Sequence, residues 1–287
     1  MRRARTERPE NFEVDLSHPL MRGAVLLGLG QSHHSFRYRD ESDKGNHGLL
    51  TGYTGAGNTP VDRWGRALGR AVLGFDRIGD KVPCAQSVSA SATGTYAAWT
   101  NLTLGLYQFV MGDGNIATDR NGVSLYWATA NKPIFEVSNA TTYKLIIANN
   151  ALSAGWSHVA GVWDGAFLQL YINGRSAAAA VASTLVPTPA YALQIGYAAQ
   201  NSGGYMAGGS LADECAWSRA LTPAEIGILA DPSNVMLSGA IREPRPRRNF
   251  IGQAGEAPPG VGVRYGGAIR WAGGGVGVRR GGALRGA

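Results

Sequence analysis

Apolar and polar positions alternate along most of this chain with the period of a strand rather than that of a helix. The clearest stretch is WSHVAGVWDGAFLQLYING (156–174), where Leu168, Leu170 and Ile172 alternate with Phe167, Gln169 and Tyr171 and so line one face of a strand. Asp164-Gly165 and Asn173-Gly174 bracket that row. Both dipeptides enter the left-handed backbone region cheaply, which predicts a tight turn at each and a meander overall. Upstream, YAAWTNLTL, LYQFVM, GVSLYWA, PIFEV and TYKLII follow at strand spacing between 94 and 147, separated by turn formers such as Gly112-Asp113-Gly114-Asn115 and Asn131-Lys132-Pro133. One helix is expected, at 223–230. Thr222 as N-cap, Pro223 as first helical residue and Glu225 two places later form a capping box, and Asp231-Pro232 ends the helix.

These elements predict an all-β fold: two stacked antiparallel sheets in a jelly-roll sandwich with a short C-terminal helix. Hydrophobic content of 44%, 41 glycines and only 16% charge agree with a sheet protein rich in turns. The organisation expected is an N-terminal arm at 1–11, a jelly-roll domain at 12–241 and an Arg/Gly-rich arm at 242–287.

Charge sharpens that division. Residues 242–287 hold nine arginines and two glutamates, which accounts for the whole formal +7; residues 1–241 carry 18 basic and 18 acidic residues. A neutral body argues against a nucleic-acid groove, because phosphate neutralisation needs clustered cations. In the arm, VGVRYGGAIR (261–270) recurs as VGVRRGGALR (276–285). Apolar residues alternate there with arginine, a pattern suited to strand addition on a neighbouring sheet but too poor in apolar area to fold alone. Arg264, Arg270, Arg279, Arg280 and Arg285 are the expected assembly contacts. Cys84 and Cys215 stand in no metal-ligand spacing and are expected as free buried thiols. MRRARTERPE lacks an apolar segment after its basic start, so neither export nor membrane insertion is expected.

W-x-H-V-A-G-V-W-D-G, then L-x-L-Y-I-N-G, L-x-I-G (193–196) and D-E-x-x-x-x-R-A-L-T-P-A-E-I (213–226) resemble the laminin-G-like, concanavalin A-like jelly-roll family. DKGNHGLLTG (43–52) and GRALGRAVLGFDRIGDKV (65–82) are similar to its N-terminal loop and strand, and the resemblance covers roughly residues 12–231. It implies a structural calcium ion held by Asp213 with Asp43, Asn46 and Gly48, or by Asp76 and Asp80. It also implies that loops at one end of the sandwich bind glycans, through Tyr197, Asn201 and Tyr205. Family members that resemble laminarinases carry E-x-D-x-x-E on one strand. That spacing is absent here, since Glu13-Val14-Asp15 stops at His18 and Asp213-Glu214 are adjacent, so no catalytic residue and no hydrolase chemistry are expected. His158 and the strand tryptophans 99, 127, 156, 163 and 217 are expected in packing roles.

The functional expectation is a non-enzymatic structural or decoration protein of an assembled particle, a bacteriophage-type virion made in the host cytoplasm. Its partners would be neighbouring subunits gripped by the arms. The alternative is a glycan-binding adhesion module that recognises a cell surface; a glycoside hydrolase is the third reading.

Overall fold

The computed structural model describes residues 12–29, 36–52, 64–114, 120–198 and 205–242, with three short strands farther on at 263–265, 268–270 and 276–277. In chain order the sandwich is built from β1 (Ala24–Gly28), β2 (Trp64–Ala67), β3 (Arg70–Asp76), β4 (Val82–Pro83) and β5 (Gly94–Leu102). Next come β6 (Gln108–Gly112), β7 (Asn121–Trp127), β8 (Pro133–Asn139), β9 (Tyr143–Ile147), β10 (Ser157–Trp163) and β11 (Phe167–Ile172). The last are β12 (Arg175–Ser176), β13 (Val181–Ala182), β14 (Gln194–Ile195), β15 (Gly208–Trp217) and the helix α1 (Pro223–Ala230).

The larger sheet runs β12-β11-β10-β5-β15-β3-β2, with β13 on β11 and β1 on β15; the smaller runs β9-β8-β7-β6-β14-β4. All the pairings are antiparallel. The turns expected from sequence close the meander. Asn173 and Gly174 both take positive φ, 48° and 78°, and join β11 to β12 with Ile172 opposite Arg175. The Asp164 carboxylate accepts from the amides of Ala166 and Phe167.

Strand alternation decides where side chains go. Tyr96, Ala98, Val159, Trp163, Leu168 and Leu170 point between the sheets and meet Val110, Val123, Leu125, Trp127, Phe135 and Val137 from the smaller sheet. The close approach at the centre needs Gly161, because a Cβ there would lie 2.1 Å from the Phe135 ring. On the other side of the larger sheet, Ala97, Ala160, Val162, Cys215 and Trp217 pack under Ile226 and Leu229 of α1 and under Leu20, Met21 and Ile241. The helix starts as expected. Thr222 accepts from the amide of Glu225, and Glu225 accepts from that of Thr222. Trp99, Trp127, Trp163 and Trp217 are buried, and both cysteines are buried and outside any disulfide. His158 lies edge-on to Trp99, with burial pushing its imidazole down to about 3.

β15 departs from regular alternation. Asp213 sits at φ 49°, and the register against β5 slips between Ala212 and Cys215, a β-bulge. Before it β15 pairs with β3, and after it with β1. Ala212 and Asp213 consequently share the outer face, while Glu214 turns inward to Tyr38.

The described contacts divide the chain after Pro244. Arg242, assigned to the arm on composition, belongs to the body. It pairs with Glu13, its neighbour Ile241 with Val14, and its guanidinium lies 2.6 Å from Asp15 Oδ2. In the second unit, Val263–Tyr265 pairs with Ala268–Arg270, and that with Val276–Gly277. Arg264 and Arg270 are in these strands. These three strands pair with one another. Arg279, Arg280, Arg285 and the arm at 1–11 lie outside the described residues.

Candidate functional site

Two of the residues singled out in sequence, Tyr197 and Tyr205, lie on the connection from β14 to β15, on opposite sides of it. The connection from β14 to β15 folds as a ribbon, with Tyr197 opposite Met206 and the amide of Ala207 donating to Gly196 O. Gly196 has φ 76° and would drive any Cβ into the Phe75 ring. The ribbon brings Tyr205 edge-on to Tyr107, the residue before β6, with centroids 5.1 Å apart. Tyr107 is 39% exposed, Tyr197 and Tyr205 are half-buried, and Lys81 Nζ stands 4.7 Å over the Tyr197 ring. Asn201 lies outside the described residues. Tyr107 and Lys81 are additions that sequence pattern does not single out, since only the fold brings Tyr107 to Tyr205 and Lys81 to Tyr197.

From Tyr205 this surface continues onto the outer face of the smaller sheet, over Phe109, Tyr126 and Ile134. There Glu136 is buried on β8. Its Oε2 accepts from Tyr126 Oη at 3.1 Å and lies 3.7 Å from Arg120 Nη1, while Oε1 has no partner. Burial pushes the carboxyl up against the opposing pull of Arg120. The guanidinium rests 3.6 Å from the centre of the Tyr143 ring, a cation–π contact. Arg120 takes φ 26°, and its carbonyl is held by the amide of Ala140. A carboxyl acceptor, a guanidinium donor and flanking phenol rings suit hydroxyl-rich ligands. The charged group acting on Glu136 is Arg120 rather than a second carboxyl, whereas glycoside hydrolysis ordinarily needs two.

The residues implied as calcium ligands have other partners. Asp213 accepts from Arg70 Nε at 2.9 Å, and Arg70, fully buried, also donates to the carbonyls of Leu68, Asp231 and Pro232. A guanidinium therefore takes the place expected of a cation. Asp43 is exposed and pairs with Lys44. Asn46 is buried with Oδ1 accepting from the amide of Gln86, and Gly48 pairs with Tyr38 in a two-stranded ribbon. Asp76 and Asp80 accept from amides of their own turn. Among the described residues no group of three His, Cys, Asp or Glu gathers; these carboxylates meet main-chain donors, Arg70 and Lys44 instead.

Residues 77–227, more than half of the chain, match the family described as the concanavalin A-like lectin/glucanases superfamily. The chain belongs to that superfamily. Within the superfamily fold, the match covers β4 to β15 and the start of α1, and so includes every tyrosine of the surface above. Comparison with curated proteins finds no match. Among solved structures, the binding domain of Paraclostridial mosquitocidal protein 1 is similar at 14% identity and TM-score 0.55, over 74% of this chain and 52% of that one. The receptor binding domain of botulinum neurotoxin D is similar at 14% identity and TM-score 0.52, over 72% and 52%. Trypanosoma rangeli sialidase follows at 13% identity and TM-score 0.51, over 75% and 33%. The chain spans about half the length of the first two, and these likenesses are of fold.

Proposed function

We propose that this chain is a carbohydrate-binding module of lectin type, and that binding rather than bond cleavage is its activity. The observation that carries the reading is the tyrosine surface at the end of the sandwich. Tyr107 and Tyr205 present ring faces and edges beside Tyr126, Glu136, Arg120 and Tyr143, the combination of apolar faces and oriented polar groups that sugars require. Superfamily membership supports it. So does the nature of the neighbours, two of them binding domains and one a sialidase in complex with a sialic acid derivative. Assembly into a particle through the arms, the first expectation from sequence, has no comparable support.

Glycan-array screening of the intact chain, followed by calorimetry on the best ligand, tests the proposal. Each of Tyr107→Ala and Tyr205→Ala should weaken binding about 3- to 10-fold, from ~0.5–1.5 kcal/mol per aromatic contact. Absence of any glycan ligand, or unchanged affinity in both variants, would refute it.

A further inference from the structure

A second cleft of about 220 Å³ lies away from the tyrosines, among Val25 of β1, Lys44 and Asn46 of the loop after Tyr38, residues 86–88 and 90–91 between β4 and β5, and Ser218 beyond β15. Its chemistry is set by Asn46, which is 1% exposed. The amide of Gln86 donates to Asn46 Oδ1 at 2.8 Å, and the Asn46 amide donates to Asp40 Oδ2 at 2.8 Å. Rotating the carboxamide would set two donors face to face, so its orientation is determined. The group left over is Nδ2, a buried donor without a partner. Such a donor is destabilising until an acceptor reaches it.

The rest of the lining agrees. Lys44 adds a cation, and its pair with Asp43 is exposed on both sides, hence weak and easily exchanged. Val25 and Val88 are half-buried against the core and form an apolar wall with Ala90. The lining contains no acidic side chain. Ser218 Oγ donates to Gly23 O and Ser91 Oγ to Thr93 O, which fixes two hydroxyls with lone pairs free. Asn46 is thus turned the wrong way for a metal ion and the right way for an anionic oxygen.

We infer that this cleft is a binding site for a small organic carboxylate of the size of a single sugar acid, its carboxylate received by Asn46 Nδ2 and Lys44 and its ring laid against Val25 and Val88. The volume equals about seven waters at ~30 Å³ each and falls below the ~300–1,000 Å³ of sites for larger ligands, so one ring fits and a chain does not. The inference is independent of the tyrosine surface.

Sodium glucuronate is the probe, with glucose and sodium sulfate as controls, followed by ¹H–¹⁵N spectra of the intact chain. Saturable displacement of the Asn46 side-chain amide signals by glucuronate, and not by glucose, is expected. Lys44→Ala should weaken binding about 3-fold and Asn46→Asp at least 10-fold, because a second carboxylate then faces the ligand. Ala90→Leu fills the cleft from its apolar wall without touching Asn46 and should also abolish binding; it carries the test if Asn46→Asp does not fold. No displacement by glucuronate, an equal response to glucose, an equal response to sulfate, or full binding in Ala90→Leu would each overturn the inference.

Discussion

Replacing Glu214 by glutamine should make this protein more stable at pH 8 and leave it nearly unchanged at pH 5. Glu214 turns inward at the bulge of β15, with Oε2 accepting from Tyr38 Oη at 2.9 Å and Oε1 without a partner. Burial pushes its carboxyl up to about 7; hydrogen bonds from its own backbone and from Tyr38 oppose the rise, and the Asp213 charge adds to it. From the ordinary 4.5, that shift corresponds to about 3 kcal/mol at ~1.4 kcal/mol per pH unit. Between pH 4.5 and 7 the folded state binds more protons at this group than the unfolded state. Stability therefore falls as pH rises through that window, and the loss is complete above it. Glutamine keeps an acceptor for Tyr38 and never ionises. Urea denaturation of both proteins at pH 5, 6, 7 and 8 measures the difference directly. Glu41, also pushed up to about 7 by burial, tilts both curves alike and cancels in the comparison. Parallel curves would show that Glu214 ionises in the folded protein without penalty and that its burial has been misjudged.

Arg70→Ala removes the partner of a buried carboxylate and the clamp on the carbonyls at the end of α1, and should lower the denaturation free energy by about 3–5 kcal/mol. Gly161→Ala should cost about 1–3 kcal/mol or more by forcing its Cβ into the Phe135 ring, read as a drop in melting temperature without loss of glycan specificity in whatever folds. A chain ending at Pro244 should unfold cooperatively with near-native stability, whereas one ending at Ala240 loses the pairing of Ile241 with Val14 and should melt measurably lower; equal melting of the two would place the boundary earlier.

Local regularities were readable before any coordinates because they repeat within a few residues. The β10–β11–β12 meander follows from Asp164-Gly165, Asn173-Gly174 and the leucines between them, and α1 occupies the eight residues that its capping box marks out. Tyr197 and Tyr205 came instead from the family resemblance, which points to the loops at one end of the sandwich. What escaped is long-range. Arg120 and Glu136 meet across paired strands, Lys81 reaches Tyr197 from more than a hundred residues away, and Asp213 looked like a metal ligand because nothing local announces that Arg70 is buried beside it. A charged residue hidden by a distant partner has the same sequence signature as one held in water. The Asp213-Glu214 pair is a mixed case. Adjacency put the two on opposite faces, as found, but the extra residue that re-aims the strand around them left no periodic mark.

That extra residue makes β15 behave like a reading frame of two. Leu211 and Glu214 point inward, Ala212 and Asp213 outward, and beyond them Ala216 is inside while Cys215 and Trp217 are outside under α1. Deleting a single residue at 213 would remove the bulge and leave Ala216 inside and Trp217 beneath the helix, because the strand would then alternate without interruption against β5. A deletion after Glu214 with the bulge kept would instead send Trp217 into the space between the sheets. In descent, then, relatives without the bulge should differ from this chain by one residue at that point, and solitary changes of length between Glu214 and Trp217 should be rare.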